Sequence, residues 1–320
     1  MRDGDRTVLV TGSTGGIGKE TARILAARGT RVVLTGRDPA RADEAAEELR
    51  AATGNPYVEA LTADVTSAAA LRSLARTVTE RHGTLHALVN NAGVNPPRRL
   101  LTEDGVESAF AGNVLAPYLL TRLLLGPLRH GARESGEPSR VVNVTGGIPR
   151  GTLDPGNLQA EKRFSGWLTD TQYNRSKLAL TAMSRTLAEH CAEEGGGVAV
   201  TVVYPGHADT PMNRSLPVRT YPRLVRPLVP LVRALMPVLW GDTSGPARNV
   251  ARAVTGPYAG DGGVYVDMKG RRSRWPAGTG DPVVRAAIWE MCERLAPLDG
   301  PVPSGAPAAQ EPERRKPMSW

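Results

Sequence analysis

The chain has 320 residues, 40% apolar and 22% charged, with a formal net charge of +8; that is enough to bury one sizeable core and excludes a disordered or collagen-like chain. The positive charge is mostly scattered arginine without a dense block or interleaved aromatics, which argues against a nucleic-acid partner. Cys191 and Cys292 form neither a disulfide framework nor a metal-ligand spacing, so two buried thiols and no metal are expected.

Residues 1–5 lead into a strand-like segment without an apolar leader, and no run reaches the length of an uncharged membrane span. The expectation is a cytoplasmic protein with no integral membrane segment. Short β-branched runs follow at 7–10, 31–34, 57–61, 87–90, 140–144 and 198–203, and between them amphipathic stretches predict helices at 17–28, 40–52, 68–81, 104–125 and 170–193. The strands are almost continuously apolar, as strands covered on both faces are. This alternation predicts an α/β fold with a doubly wound parallel sheet, a Rossmann fold in three α/β/α layers.

Beyond 203 the pattern loosens. A Pro- and Arg-rich segment spans 211–240, followed by a predicted helix at 243–254, a strand at 263–266 and a helix at 281–295. Residues 297–320 are rich in Pro, Gly and charge and read as a disordered tail, which leaves 1–296 as a single domain.

The first strand runs into a glycine turn and then a helix. Gly12, Gly16 and Gly18 let the backbone turn tightly and let a pyrophosphate approach, while the helix start offers unpaired N–H groups and a positive dipole end. A nicotinamide dinucleotide is the expected ligand.

The spacing Thr-Gly-x-x-x-Gly-x-Gly at 11–18 resembles the short-chain dehydrogenase/reductase family. Further motifs of that family follow in order. Asp64-Val65 stands where the family holds the adenine ring, and Asn91, Ala92 and Gly93 complete an Asn-Asn-Ala-Gly motif after the fourth strand. Asn113 lies on the apolar face of the long helix; Tyr173 and Lys177 form Tyr-x-x-x-Lys; Pro205, Gly206 and Thr210 form Pro-Gly-x-x-x-Thr. The resemblance implies cofactor contacts from Gly12, Ser13, Thr14, Gly16, Ile17, Gly18, Asp64, Val65, Asn91, Ala92, Gly93, Tyr173, Lys177, Pro205, Gly206 and Thr210. It implies catalysis by Tyr173 as general acid or base, with Lys177 on the nicotinamide ribose and Asn113 holding a relay water. Tyr173 and Lys177 share a helix face, and a nearby ammonium together with the oxidised nicotinamide's charge favours phenolate, which lowers the tyrosine's usual value of about 10.

One position departs from the family. Its usual Asn-x-Ser-Ser reads Asn143-Val-Thr-Gly here, so Gly146 stands where the second Ser bonds the substrate oxygen. Either the Thr145 hydroxyl takes that role after a local backbone shift, or the hydroxyl is missing, with a cost of about a hundredfold or more in rate. At the end of the second strand, Gly36 leaves space and Arg37 matches a phosphate, so NADP(H) is expected over NAD(H), although Asp38 offers an alternative partner for the ribose.

The segments 157–164, 263–267 and 289–295 resemble the retinol-dehydrogenase-like branch. With the apolar 211–240 segment as a substrate cover, they point to a bulky lipophilic ketone or aldehyde. His207 beside the Pro-Gly turn is a candidate pocket residue. The alternatives are non-redox chemistry such as cyclisation or dehydration, and a dinucleotide-binding regulator. The family often dimerises through the helices carrying Asn113 and Tyr173, so a homodimer is an open expectation.

Overall fold

The computed structural model describes residues 6–147, 150–164, 171–206, 242–256, 258 and 263–298. In chain order the elements are β1 (Thr7–Val10), α1 (Gly16–Ala26), β2 (Arg31–Gly36), α2 (Pro39–Thr53), β3 (Val58–Thr62), α3 (Ala68–His82) and β4 (Ala87–Asn90). Next come α4 (Ser108–Phe110), a π turn (Ala111–Leu115), α5 (Ala116–Leu123), α6 (Leu125–Ser135), β5 (Ser139–Val144), α7 (Gln172–Glu193) and β6 (Val198–Val203). The last four are α8 (Ser244–Thr255), β7 (Val264–Val266), β8 (Arg272–Ser273) and α9 (Pro282–Leu295).

Side chains set the helix starts. Asp38 accepts from the Arg41 N–H ahead of Pro39, Ser67 from Ala70, Thr171 from Asn174, and Asp281 from Val283 and Val284 ahead of Pro282. The strands form one sheet in the order β3-β2-β1-β4-β5-β6-β7-β8, parallel except for the short edge pair β7–β8. Strand order reverses between β1 and β4, which opens a crevice at their carboxyl ends. One apolar layer packs α1, α2 and α8 against the sheet, and the other packs α3, α5, α7 and α9. This is the three-layer architecture that the strand–helix alternation predicts.

The predicted helix at 104–125 is the main difference. It starts at Ser108, where the buried Glu107 carboxylate accepts from the N–H groups of Ala109 and Phe110. Asp104 instead accepts from the Ala68 N–H at the start of α3. The helix then passes through the π turn and breaks at Leu124. Three residues on, Pro127 has no N–H to continue the ladder. Helix α6 went unassigned because Gly126, Pro127 and Gly131 depress its propensity. Gly131 is there for contact, since a Cβ would sit 2.3 Å from the Leu85 carbonyl oxygen.

At the chain's far end α9 lies on α7. Its Trp289 stacks on His190 of α7 at 4.3 Å and meets Tyr118 of α5 edge-on at 5.1 Å. Part of the outer face expected to pair two copies is therefore covered by α9. Cys191 and Cys292 are free and buried as expected, and burial pushes the Cys191 thiol up to about 11. Arg72 donates to the carbonyls of Pro297 and Leu298, so the first two residues of the expected tail are tied to α3; the rest of it lies outside the described residues. Among the described residues no single helix is long and apolar enough to cross a membrane, and no group of His, Cys, Asp or Glu is placed to hold a metal.

Candidate active site

The site lies at the carboxyl ends of β1, β4, β5 and β6. The β1–α1 turn is locked from behind. Ser13 is fully buried, and its hydroxyl donates to the Val10 carbonyl and accepts from the Thr35 N–H, which pins the turn to β2. Its side chain is therefore turned away from the crevice, and a cofactor contact from Ser13 is left to the backbone. Thr11 and Asn91 bind the turn to the end of β4. The Thr11 hydroxyl accepts from the N–H groups of Asn91 and Ala92, and the Asn91 amide donates to the carbonyls of Thr11 and Gly12.

Two of the turn's glycines are required by approach. Gly12 has φ +63° and a Cβ there would meet Ala92 Cα at 2.7 Å; one at Gly18 would lie 2.3 Å from Asn91 Nδ2. Gly15, by contrast, precedes α1 with open space around its Cβ position and caps the helix with no side chain. The first-turn N–H groups of α1 thus face an open cradle that a side chain would fill, which fits the phosphates of a dinucleotide. Thr14, Gly16 and Ile17 flank this cradle, half-buried.

At the end of β2, Arg37 and Asp38 are exposed. The Asp38 carboxylate accepts from the Arg41 N–H through Oδ1 and so caps α2. A Cβ on Gly36 would meet Thr14 Cγ2 at 2.4 Å, so the bare position is also a packing requirement. Asp64 is exposed and accepts from the N–H and hydroxyl of Thr66, while Val65 packs against the core beneath it. Pro205 is buried and Gly206, at φ +89°, turns the chain beyond β6. Thr210, His207 and the cover at 211–240 lie outside the described residues.

Asn113 sits in the π turn, fully buried. Its Oδ1 accepts from the Val94 N–H, and its Nδ2 donates to the Val94 carbonyl and the Ser176 hydroxyl, each at 2.8 Å. The amide thus clamps the segment after Gly93 to α7. In the π turn the Ala116 N–H goes to the Ala111 carbonyl. Pro117, four residues after Asn113, has no N–H to give the Asn113 carbonyl. Neither Ser176 nor Pro117 was singled out from the sequence; the usable signals were a hydroxyl three residues after Tyr173 and a proline four after Asn113.

Tyr173 and Lys177 lie on the face of α7 that meets the end of β5. Lys177 Nζ is buried and donates to the Val144 carbonyl at 3.1 Å, and a Cβ at Gly93 would stand 3.5 Å from it. Burial lowers this ammonium to about 8. Burial, with a smaller push from nearby Tyr204, raises Tyr173 to about 12. This reverses the sequence expectation for the protein alone. Desolvation of the phenolate outweighs any help from the lysine.

The hydroxyl of Thr145 does not replace the absent serine here. It is buried and donates to the Lys177 carbonyl at 3.2 Å, with Thr181 donating to the same carbonyl. That commitment to the α7 backbone corrects the first of the two readings of this position. Thr145→Val is accordingly expected to change kcat less than about threefold while lowering stability by about 1 kcal/mol, the usual worth of one hydrogen bond; steady-state kinetics and thermal melts check both.

The start of α7 has a second support that the sequence did not announce. Gln172 donates from Nε2 to the Glu107 carboxylate and the Leu158 carbonyl, and Arg175 donates to Gln172 Oε1 and to the carbonyls of Arg163 and Phe164. This network fixes the 150–164 segment against the helix turn that carries Tyr173.

A family model described as short chain dehydrogenase matches residues 6–151. Human retinol dehydrogenase 13 is 32% identical over 303 residues, covering 92% of this chain and 86% of that protein. Mouse polyprenol dehydrogenase is 39% identical over 210 residues, covering 65% of this chain and 62% of its own length. Other curated relatives are likewise spanned over 60–65% of their length. Among solved structures, the Pseudomonas aeruginosa RhlG/NADP active-site complex superposes with a TM-score of 0.61 at 29% identity, over 83% of this chain and 95% of that one.

Proposed function

The chain belongs to the short-chain dehydrogenase family, in the retinol-dehydrogenase-like branch, and is an oxidoreductase acting between CH–OH and C=O; from that footing we propose that it reduces a ketone or aldehyde of a bulky, largely apolar compound with NADP(H) in preference to NAD(H). The observation that carries the reading is geometric: the Tyr173 hydroxyl is seated at the end of β5 against Gly146, one helical turn from Lys177, whose ammonium holds the Val144 carbonyl. A phenol that keeps its proton is an acid ready for a carbonyl oxygen.

When bound, the dinucleotide supplies the hydride. The turn at 11–18 and the N-terminus of α1 would hold its phosphates, and Lys177 would orient its ribose. Tyr173 gives its proton to the substrate oxygen, and the Lys177 charge stabilises the phenolate left behind. The Asn113 carbonyl, without a helical donor from Pro117, is our assignment for the relay water. Asp64 and Val65 flank the adenine. The apolar substrate is inferred from the 211–240 composition and from relatives named for retinol and polyprenol. Two features support the cofactor preference: exposed Arg37 beside a side-chain-free Gly36, and the use of Asp38 as the α2 cap.

The test is NAD(P)H oxidation at 340 nm across a panel of lipophilic ketones and aldehydes. NADPH is expected to give the lower KM, and Arg37→Ala to raise it about tenfold without changing that for NADH, as loss of one charge-assisted contact would. Tighter use of NADH by the wild type would sink the preference. NADPH binding with no oxidation across the panel would favour non-redox chemistry or a regulator.

A further inference from the structure

Resting on the reductase reading, we propose that the main-chain N–H of Gly146 is the second hydrogen-bond donor to the substrate oxygen, beside the Tyr173 hydroxyl. The catalytic set is then complete without a serine. The first observation is steric. A Cβ built on Gly146 would lie 2.9 Å from the Tyr173 hydroxyl oxygen, closer than real Cβ atoms come. The phenol occupies the place that a side chain at 146 would take. A serine there has no room unless Tyr173 withdraws.

The second observation is an uncommitted peptide group. The Thr145 N–H donates to the Val203 carbonyl, toward β6. β5 ends at Val144, and beyond it the side-chain positions of Thr145, Gly146 and Gly147 all face α7, in the stretch that follows the Val144 carbonyl. That carbonyl is the one that accepts from Lys177 Nζ. The end of β5 thus brings together the lysine ammonium, the tyrosine hydroxyl and the peptide group of Gly146. Among the described residues no acceptor meets the Gly146 N–H, and Gly147 has φ +70°. A Cβ on Gly147 would meet Asn174 Oδ1 at 2.5 Å, so this turn is held against α7. The alternative hydroxyl, on Thr145, is bonded to the Lys177 carbonyl.

In the step itself a hydrogen leaves the dinucleotide's C–H bond with that bond's electron pair and bonds to the carbonyl carbon, and the C=O π pair moves to oxygen. That oxygen takes the Tyr173 proton, and the phenolate remains facing Lys177. The Gly146 N–H keeps its proton and donates a hydrogen bond that strengthens as negative charge grows on oxygen, as a peptide donor in an oxyanion hole does. A fixed backbone donor costs no side-chain ordering, which suits a site whose neighbouring phenol fills the side-chain space.

The experiment restores the family's residue. Gly146→Ser and Gly146→Ala are each expected to lower kcat about tenfold or more, because either Cβ pushes the phenol off its seat, with NADPH affinity by fluorescence titration unchanged. Replacement of Gly146 by glycolic acid, which exchanges the N–H for an ester oxygen, is expected to lower kcat by about 10²–10³ with a small change in KM. A readout independent of turnover is the 13Cζ resonance of Tyr173, assigned by its loss in Tyr173→Phe; it is expected to shift in Gly146→Ala in the absence of cofactor. A faster Gly146→Ser enzyme, an ester variant with wild-type kcat, or an unmoved Tyr173 resonance would overturn the inference alone. A wild type that binds NADPH but does not oxidise it with any carbonyl of the panel would overturn the reductase reading and this inference with it.

Discussion

Tyr173→Phe is expected to lower kcat by about a hundred- to ten-thousand-fold, the usual contribution of a positioned general acid, with NADPH affinity within about twofold of wild type. The ring of Tyr173 stays in place in this variant. Only the oxygen seated against Gly146 is lost, and none of the contacts that shape the glycine turn involves it. Binding and chemistry therefore separate. Fluorescence titration with NADPH and single-turnover absorbance at 340 nm measure the two independently. A variant retaining a tenth of wild-type turnover would remove Tyr173 from the role of acid.

Lys177→Met is expected to lower kcat by about 10²–10³ and to change the response to pH in two ways. In the wild type, reduction should fall as pH rises through about 8, where Lys177 loses the charge that stabilises the Tyr173 phenolate. That limb should be absent in the variant. The second effect is on stability. The folded lysine, at about 8, lies below its unfolded value near 10.5, so between these pH values the unfolded chain binds more protons. The wild type is thus burdened by its buried charge below pH 8 and loses that burden as pH rises toward 10.5. Relative to Lys177→Met, the wild type should gain stability from pH 8 to 10. The difference in Tm between the two proteins measures this, and a difference independent of pH would show that the ammonium is not desolvated. Melts bracketing that window suffice, because the methionine variant carries the background titration of all other groups.

The polar groups of this site divide into those with local signals and those without. The glycine turn was legible because Gly12 and Gly18 are forced by backbone approaches that recur wherever a strand, a tight turn and a helix meet a neighbouring strand end. Tyr173 and Lys177 were legible because four residues on a helix is a local geometry. The clamp of Asn113 on Val94 and Ser176 was not, since its partners lie 19 and 63 residues away and nothing short-range in the sequence pairs them. The Glu107–Gln172–Arg175 network was hidden for the same reason.

Helix bounds failed where side chains compete for backbone groups. Asp104 reads as a helix start, but its carboxylate caps α3, and the cap of α4 falls to Glu107. The hydroxyl question at Thr145 and Gly146 could not be resolved by pattern at all. Both residues lie just past the end of β5 and both face α7, so which of them meets the Tyr173 oxygen depends on where α7 crosses that end.

The sequence by itself determined the alternating α/β architecture, the parallel sheet, the dinucleotide turn and the tyrosine–lysine pair, because each follows from periodicity or from contacts within one turn of chain. Only the tertiary structure decided which hydroxyls are already engaged, that burial outweighs charge in setting Tyr173 and Lys177, and that the space of the absent serine is filled by the phenol. Those outcomes depend on desolvation and on packing between elements far apart in the chain, and neither is encoded in any single segment.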